Sequence, residues 1–307
     1  MRIASFNVQN LRLRRRDGAP VLDGARDADE AGGTDPALDE ADRRLTAEVI
    51  ARTGADVVCL QEVYDLPTLD HFHDAFLRPT GAAPWPHRVC LPGNDGHGRD
   101  VALLSRRPLT EVASHARLLP ADLGLAPPAG MDPTTPVFRR DCLRAQVGAL
   151  TLFLVHFKAP WPDAAAAWAV RRLEAEAVRR LVERRFGSDP EALWLILGDF
   201  NEPAGEPGPA RAIAPLLPPF SVDLLARVPV GQRWSYHLPE ADLYSRPDGL
   251  LASAALARRW PAACPEILRE GLAAGAERFG GPRLPGVGRH RPRASDHAAL
   301  VVEFPGL

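Results

Sequence analysis

The sequence predicts one α/β domain running through all 307 residues. Three observations carry that expectation. Short apolar, β-prone runs recur from the first residues to the last, and amphipathic helical stretches lie between them. No repeat, coiled coil or shift of composition marks a linker. A hydrophobic share of 46% is enough to build a sizeable core.

The elements follow in order. "RIASFNV" alternates and is β-prone, which places a first strand at Arg2–Val8. Residues 12–41 are charged and rich in Gly, Ala and Asp, the composition of a surface insertion within the domain. The stretch "LDEADRRLTAEVIARTG" reads as a helix of about three turns, with Leu45, Val49 and Ile50 on its apolar stripe and an end near Gly54. A continuous apolar strand, Val57–Leu60, then stops at Gln61 and Glu62. "DVALLS" (100–105) and "LTLFLVHF" (150–157) are further strands. "AAAAWAVRRLEAEAVRRLVERRF" (164–186) is a long amphipathic helix with Val170, Leu173, Ala177 and Leu181 along one stripe. "ALWLILGDF" and "HAALVVEF" are the last clear strands, and the Pro- and Gly-rich stretches 203–219 and 280–294 are loops.

Composition narrows the function. A net charge of −2 gives no overall field toward polyanions, so a nucleic-acid contact has to come from a local patch. The four cysteines lie far apart without a CxxC pair, which argues against a zinc site or a disulfide framework. Cys59 and Cys142 fall within apolar strands, where small buried thiols are common. No apolar stretch approaches ~20 residues, so no membrane span is expected. With no signal-like start either, a cytoplasmic enzyme without an obligate protein partner is the expectation. Of the 37 lysine and arginine residues only Lys158 is lysine. Arginine pairs therefore carry little information in this chain, whereas its single lysine stands out.

Strands repeatedly end in polar groups. Asn7 precedes Val8, Leu60 leads to Glu62, Val155 to His156 and Gly198 to Asp199 and Asn201, while "SDH" (295–297) opens the last strand. Each has a plain structural reading: a cap for Glu62, a core histidine for His156, an Asp-Gly turn for Asp248, and a helix cap for Asp296. Together they form an inventory suited to hydrolysing a phosphate ester. Carboxylate and amide oxygens without thiolates favour Mg2+ or Mn2+ over zinc. Two histidines can hold or move a proton near neutral pH. Lys158, two residues past His156, offers charge to a phosphoryl oxygen.

In this order, "ASFNVQNL", "VVCLQEV", "DVALLS", "LFLVHFKA", "LGDFNEP", "RPDGLLAS" and "SDHAALVVEF" resemble the endonuclease/exonuclease/phosphatase superfamily from residue 3 to residue 304. The resemblance implies a four-layer α/β/β/α sandwich of two mixed sheets packed face to face with helices outside. It implies Glu62 as the main metal carboxylate, with Asn7 and Asp296 as further ligands, direct or through water. It implies His297 held by Asp248, Asp199 and Asn201 positioning water, and His156 on the scissile phosphate, with the choice of general base left open. By the same resemblance Arg99 and Asp100 lie where DNase-like members keep a carboxylate for their first histidine, so Asp100 is expected to partner His156. Lys158 would contact phosphate. Arg140 and Asp141 either reach the site or form a strand-edge pair.

Departures from the family narrow the substrate. Gln9 stands where abasic-site endonucleases carry aspartate, His156 where they carry tyrosine, and "RPDG" where they carry "RIDY". These differences argue against abasic-site repair. "HFKA" replaces "HFKS", and the lysine-rich signature of inositol phosphatases is missing. The expected function is a Mg2+-dependent phosphodiesterase acting on nucleic acid, with Arg289, Arg291 and Arg293 near the site as its basic patch. The alternatives are a phosphatase or phosphodiesterase for a small phosphorylated metabolite or lipid headgroup, and a catalytically inactive binding protein.

Overall fold

The computed structural model describes residues 1–27, 35–203 and 211–307. The chain begins with β1 (Arg2–Leu11), a hairpin of β2 (Leu13–Arg16) and β3 (Ala19–Leu22), α1 (Pro36–Thr53), β4 (Val57–Val63) and α2 (Leu66–Phe72). There follow β5 (His87–Cys90), β6 (Asp100–Ser105), β7 (Thr110–Ala113), β8 (Cys142–Val147), β9 (Leu150–His156), α3 (Ala164–Phe186) and β10 (Trp194–Asp199). The last part holds β11 (Val222–Asp223), a hairpin of β12 (Tyr236–Leu238) and β13 (Leu243–Ser245), β14 (Asp248–Ala252), α4 (Ala254–Arg259), β15 (Glu266–Leu268) and β16 (Ala299–Glu303).

Two six-stranded mixed sheets result, ordered β15-β16-β1-β4-β6-β5 and β11-β14-β10-β9-β8-β7. In the first, β1 runs parallel to β4 and antiparallel to β16. In the second, β10 runs parallel to β9 and antiparallel to β14. The period-2 alternation of side chains assigns each strand residue to one of two cores. Ile3, Val57, Cys59, Val101 and Leu103 meet Leu143, Leu152, Leu154, Leu195, Leu197 and Leu250 between the sheets. Their neighbours in sequence, Ala4, Phe6, Val58 and Leu60, pack outward on Leu45, Val49 and Ile50 of α1 and Leu69 and Phe72 of α2. On the second sheet Phe153, Val155, Trp194 and Ile196 pack on Leu173, Ala177, Val178 and Val182 of α3. The chain is a four-layer sandwich, helix, sheet, sheet, helix.

The details differ from the sequence reading in several places, β4 for one running on from Leu60 to Val63. β1 continues past Val8 to Leu11. α1 has 18 residues rather than about three turns, beginning where Asp35 accepts the Ala37 and Leu38 amides, with Pro36 in its first turn and Gly54 at φ 59° as its end. Its early turns hide buried polar residues, Asp39, Asp42 and Arg43, which break the apolar stripe and make a core-facing surface look solvated. Of the segment 12–41, read as a surface insertion, residues 13–22 form the β2–β3 hairpin and 36–41 open α1, while 28–34 lie outside the described residues. Residues 204–210 of the loop expected at 203–219 also lie outside them.

Candidate active site

The C-terminal ends of β1, β4, β9 and β10 come together, and with them the polar residues that close each strand. β10 is the pivot. Asp199 is paired in register with His156 on β9 at one side and with Asp248 on β14 at the other. Those strands can approach because Gly198, at φ 138°, carries no side chain, and a Cβ there would overlap the Val155 carbonyl oxygen. On the facing sheet, Asn7 of β1 reaches across with its amide nitrogen, 3.2 Å from Glu62 Oε1 and 3.1 Å from Asp199 Oδ2. One side chain thus links the mouths of the two sheets.

The backbone at this mouth is strained. Gln9, Asn10, Glu62 and Asn201 all have positive φ, at 48°, 54°, 68° and 50°. At Glu62 the β4–β6 register shifts between Gln61 and Val63, a bulge that re-aims the carboxylate. Asn10 N–H donates to Glu62 Oε2 at 2.9 Å, and Asn10 Nδ2 to Asp27 Oδ1 at 2.8 Å. Beneath β1, Arg43 is fully buried and donates to the carbonyls of Val8, Gln9 and Gly24, each at 2.6 Å. Its guanidinium therefore clamps the end of β1 to the segment that carries Asp27. Burial lowers the Arg43 pKa to about 10 despite Asp42, Asp23 and Asp39 nearby.

The two histidines are buried in opposite electrostatic settings. His297 Nδ1 lies 2.9 Å from Asp248 Oδ2, which also accepts Ser235 Oγ–H at 2.6 Å. Burial opposes charge on His297, but Asp248, Asp296 and Asp199 outweigh it and hold the imidazole well above its ordinary pKa. His156 is driven well below that range by burial first, then by Arg140 and by His297 itself. Asp199 Oδ2 stands 3.6 Å from His156 Nε2 and 3.8 Å from His297 Nε2. Burial raises the Asp199 pKa to about 6, offset in part by His297. The arrangement therefore places one imidazolium, one neutral imidazole and a carboxylate that titrates near neutrality within ~4 Å of each other's nitrogens and oxygens.

Two groups of titratable side chains lie here. Asp199, Asp248 and His297 have ligand atoms within 4.8 Å of one another. That trio is already committed internally, since Asp248 Oδ2 serves both His297 and Ser235. Glu62, Asp296 and Asp27 form the other through charge coupling centred on Asp27, not through closely spaced ligand atoms. Asp27 is raised to about 6 by burial and by the charges of Asp296 and Glu62, which marks a place with surplus negative charge. A divalent cation would relieve it, and an all-oxygen set without thiolate suits Mg2+ or Mn2+.

The other residues expected at the site are placed as follows. Asn201 N–H donates to Asp199 Oδ1 at 2.8 Å, and its Nδ2 to Phe157 O at 3.0 Å. Arg140 is buried and donates to the same Phe157 carbonyl at 2.9 Å, so its charge reaches His156. Arg99 is tied to Asp95 Oδ2 at 3.0 Å and stands in the field of Glu62 and Asp27.

Four groups sit in ways the sequence does not anticipate. The Asn7 oxygen accepts Gln9 N–H at 3.0 Å, and its amide nitrogen faces the Glu62 and Asp199 carboxylates. Asp100 and His156 form no pair, since Asp100 Oδ1 and His156 Nδ1 are both buried without a hydrogen-bond partner. Lys158 turns its ammonium onto the carbonyls of Ala159 and Trp161 at the start of the β9–α3 loop. Of the arginines at 289–293, Arg291 is locked onto Asp39 and Asp42, Arg293 is buried with its Nε on Ala25 O, and exposed Arg289 lies 3.9 Å from Glu277. Asp141 is buried just ahead of β8 and accepts His115 N–H at 2.8 Å.

Sequence reasoning missed Asp27, Ser235 and Tyr236. Tyr236 forms an antiparallel bridge with His297 and lays its ring 4.8 Å from the imidazole. Burial, then Asp296, Asp27 and Asp199, raise the Tyr236 phenol, so it stays a proton donor at the edge of the site. Only the serine before it and the charged segment around Asp27 were visible in the sequence, and neither pattern points to a site.

Known structures share this fold. A truncated TDP2 from Caenorhabditis elegans superposes with a TM-score of 0.58 at 15% identity, covering 98% of this chain and 96% of that one. An AP endonuclease from Archaeoglobus fulgidus gives 0.60 at 16%, covering 99% of each chain. The 3'-5' exonuclease NExo from Neisseria meningitidis gives 0.58 at 20%, again covering 99% of each. No curated protein matches the chain. The model of the Endonuclease/Exonuclease/phosphatase family matches residues 4–297, and the chain belongs to that family.

Proposed function

We propose that the protein is a divalent-metal-dependent phosphoric-ester hydrolase that cuts phosphodiester bonds in nucleic acid. The observation that carries this reading is Asp199, titrating at about 6, with Oδ2 within 4 Å of an imidazolium just ahead of β16 and a neutral imidazole at the end of β9. Glu62, Asp296 and Asp27 would hold the metal, which when bound supplies positive charge to phosphoryl oxygen. Asn7 keeps Glu62 and Asp199 apart at hydrogen-bond distance.

In the reaction, Asp199 accepts a proton from water while the water oxygen forms its bond to phosphorus and the ester oxygen leaves on the opposite side. Asn201 fixes the Asp199 carboxylate through its backbone N–H. His297, kept charged by Asp248, offers Nε2–H to a phosphoryl oxygen as negative charge develops. His156, kept neutral, has Nε2 4.0 Å from Glu62 Oε1 and 3.6 Å from Asp199 Oδ2, a place from which it orients the phosphate.

One observation favours the smaller-substrate alternative: Arg291 is locked in ion pairs and Arg293 is buried, so neither builds a basic groove. A panel with Mg2+ and Mn2+ over single- and double-stranded DNA and RNA, a generic phosphodiester and a generic phosphomonoester decides between them. Metal-dependent cleavage of polynucleotide is the expected result. Turnover of the monoester alone would replace this reading with a phosphatase, and full activity in excess chelator would remove the metal from it.

A further inference from the structure

We propose that Trp161 is a stacking platform for an unpaired base of the nucleic-acid substrate, an inference that rests on the reading just given. Trp161 is 74% exposed, and among the described residues it is the only tryptophan left mostly open to solvent. Trp85, Trp194 and Trp234 are buried, and Trp168 and Trp260 are half-buried. The Trp161 ring belongs to none of the four hydrophobic clusters found among the described residues. An indole left in water gives up a large hydrophobic gain, which a flat apolar ligand would recover.

Its location selects the ligand. β9 ends at His156, and Trp161 follows five residues later, within ~17 Å of it at full extension. The intervening backbone is tied down. Phe157 N–H donates to Asp199 O at 2.9 Å, Phe157 O accepts from Asn201 and Arg140, and Lys158 N–H donates to Glu174 Oε2 at 2.8 Å. Arg171 donates to Lys158 O at 3.0 Å, and the Lys158 ammonium closes the loop on the Ala159 and Trp161 carbonyls. The exposed ring is therefore presented from an anchored loop whose Lys158 ammonium is bonded to the Trp161 backbone carbonyl. A flat apolar face on the same loop as a fixed positive charge, a few residues from the proposed phosphodiester site, complements a base attached to its phosphate. Polynucleotide-binding surfaces combine these two elements, and stacking is tolerant of sequence because every base has a π-face.

Intrinsic fluorescence tests this, because Trp161 is the tryptophan open to a ligand. A short mixed-sequence single-stranded DNA, added to the protein in chelator to prevent cleavage, is expected to quench emission. An oligomer of the same length built only of abasic residues, with identical phosphates, is expected to bind more weakly and leave emission unchanged. Trp161→Ala should abolish the quenching and weaken DNA binding about 5- to 140-fold, with Trp161→Tyr recovering part of it. Equal affinity for the abasic oligomer, or unchanged binding by Trp161→Ala, would overturn the proposal. So would quenching by phosphatidylcholine vesicles but not by DNA. Failure here while the protein still cleaves polynucleotide would leave the proposed function standing, whereas no cleavage of any polynucleotide would remove that function itself.

Discussion

Asp248 and His297 meet through one carboxylate oxygen, Oδ2, 2.9 Å from Nδ1, and that oxygen also receives the Ser235 hydroxyl. An aspartate in this position acts through the imidazole it orients and charges. Asp248→Asn and His297→Ala are each expected to lower turnover by about 10²–10⁴, the range of acid–base contributions. The double mutant should be little worse than either, as for residues that act as a unit. Steady-state kinetics of the three variants check this, and losses that multiply would count against it.

Metal binding should depend on the carboxylates around Glu62. Glu62→Gln keeps the side-chain shape and removes the charge, so Mn2+ affinity measured by calorimetry should fall steeply while the melting temperature stays close to wild type. Asp27→Asn should weaken Mn2+ by about 10-fold, a cost typical of groups that support ligands. Unchanged titrations for both would move the metal elsewhere.

Arg43 predicts a structural dependence of the same site. Arg43→Ala leaves the Val8, Gln9 and Gly24 carbonyls buried without their donor, at about 1–3 kcal/mol for each unsatisfied group. Both the melting temperature and Mn2+ affinity should drop. Arg43→Lys should recover little, because an ammonium cannot reproduce the planar fork.

Asp141 gives a pH signature for stability. Burial raises it to about 6 from 3.8, against the pull of Ser114, His115 and Cys142. A carboxyl whose folded pKa is raised contributes most favourably below 3.8, and that contribution is lost as pH rises through about 6. Above that, it costs on the order of 2–3 kcal/mol. Asp141→Asn, which cannot ionise, should therefore be relatively more stable at pH 8 than at pH 5 when both are compared with wild type by thermal unfolding. A mutant effect equal at the two pH values would refute this.

Lys158 is expected to matter for the loop rather than for chemistry. With its ammonium on the Ala159 and Trp161 carbonyls, Lys158→Ala should leave turnover of a small generic phosphodiester nearly unchanged. It should raise KM for an oligonucleotide by loosening the loop. A large fall in turnover on the small ester would return Lys158 to the phosphate.

The strands and their polar ends were legible in the sequence because a sheet buried on both faces writes itself as a continuous apolar run, and a polar residue at its end has to sit at the mouth. His156, Asp199 and His297 were read this way, whereas Asp248 reads by itself as an Asp-Gly turn and was pointed out only by the family resemblance. Side-chain direction was not legible. Whether Asn7 offers oxygen or nitrogen is decided by the Gln9 N–H in a positive-φ turn, which composition does not reveal. Tyr236 and Ser235 reach the site through a bridge to His297 and a bond to Asp248, both far away in sequence. Asp42 and Arg43 interrupt the apolar stripe of α1 and are nevertheless buried, because loop carbonyls and Arg291 satisfy them from outside the helix.

Gly198 gives the site an unusual kind of fragility. The row His156, Asp199, Asp248 runs across three adjacent strands, and its spacing depends on the room left where a side chain would meet the Val155 carbonyl. Gly198→Ala adds one methyl group, changes no charge and touches no titratable atom. It would nonetheless wedge β9 from β10 and carry the neutral imidazole away from the carboxylate. A protein inactivated in this way would keep every acid, base and cation donor of the wild type, so an inspection of its functional groups alone would pronounce it intact.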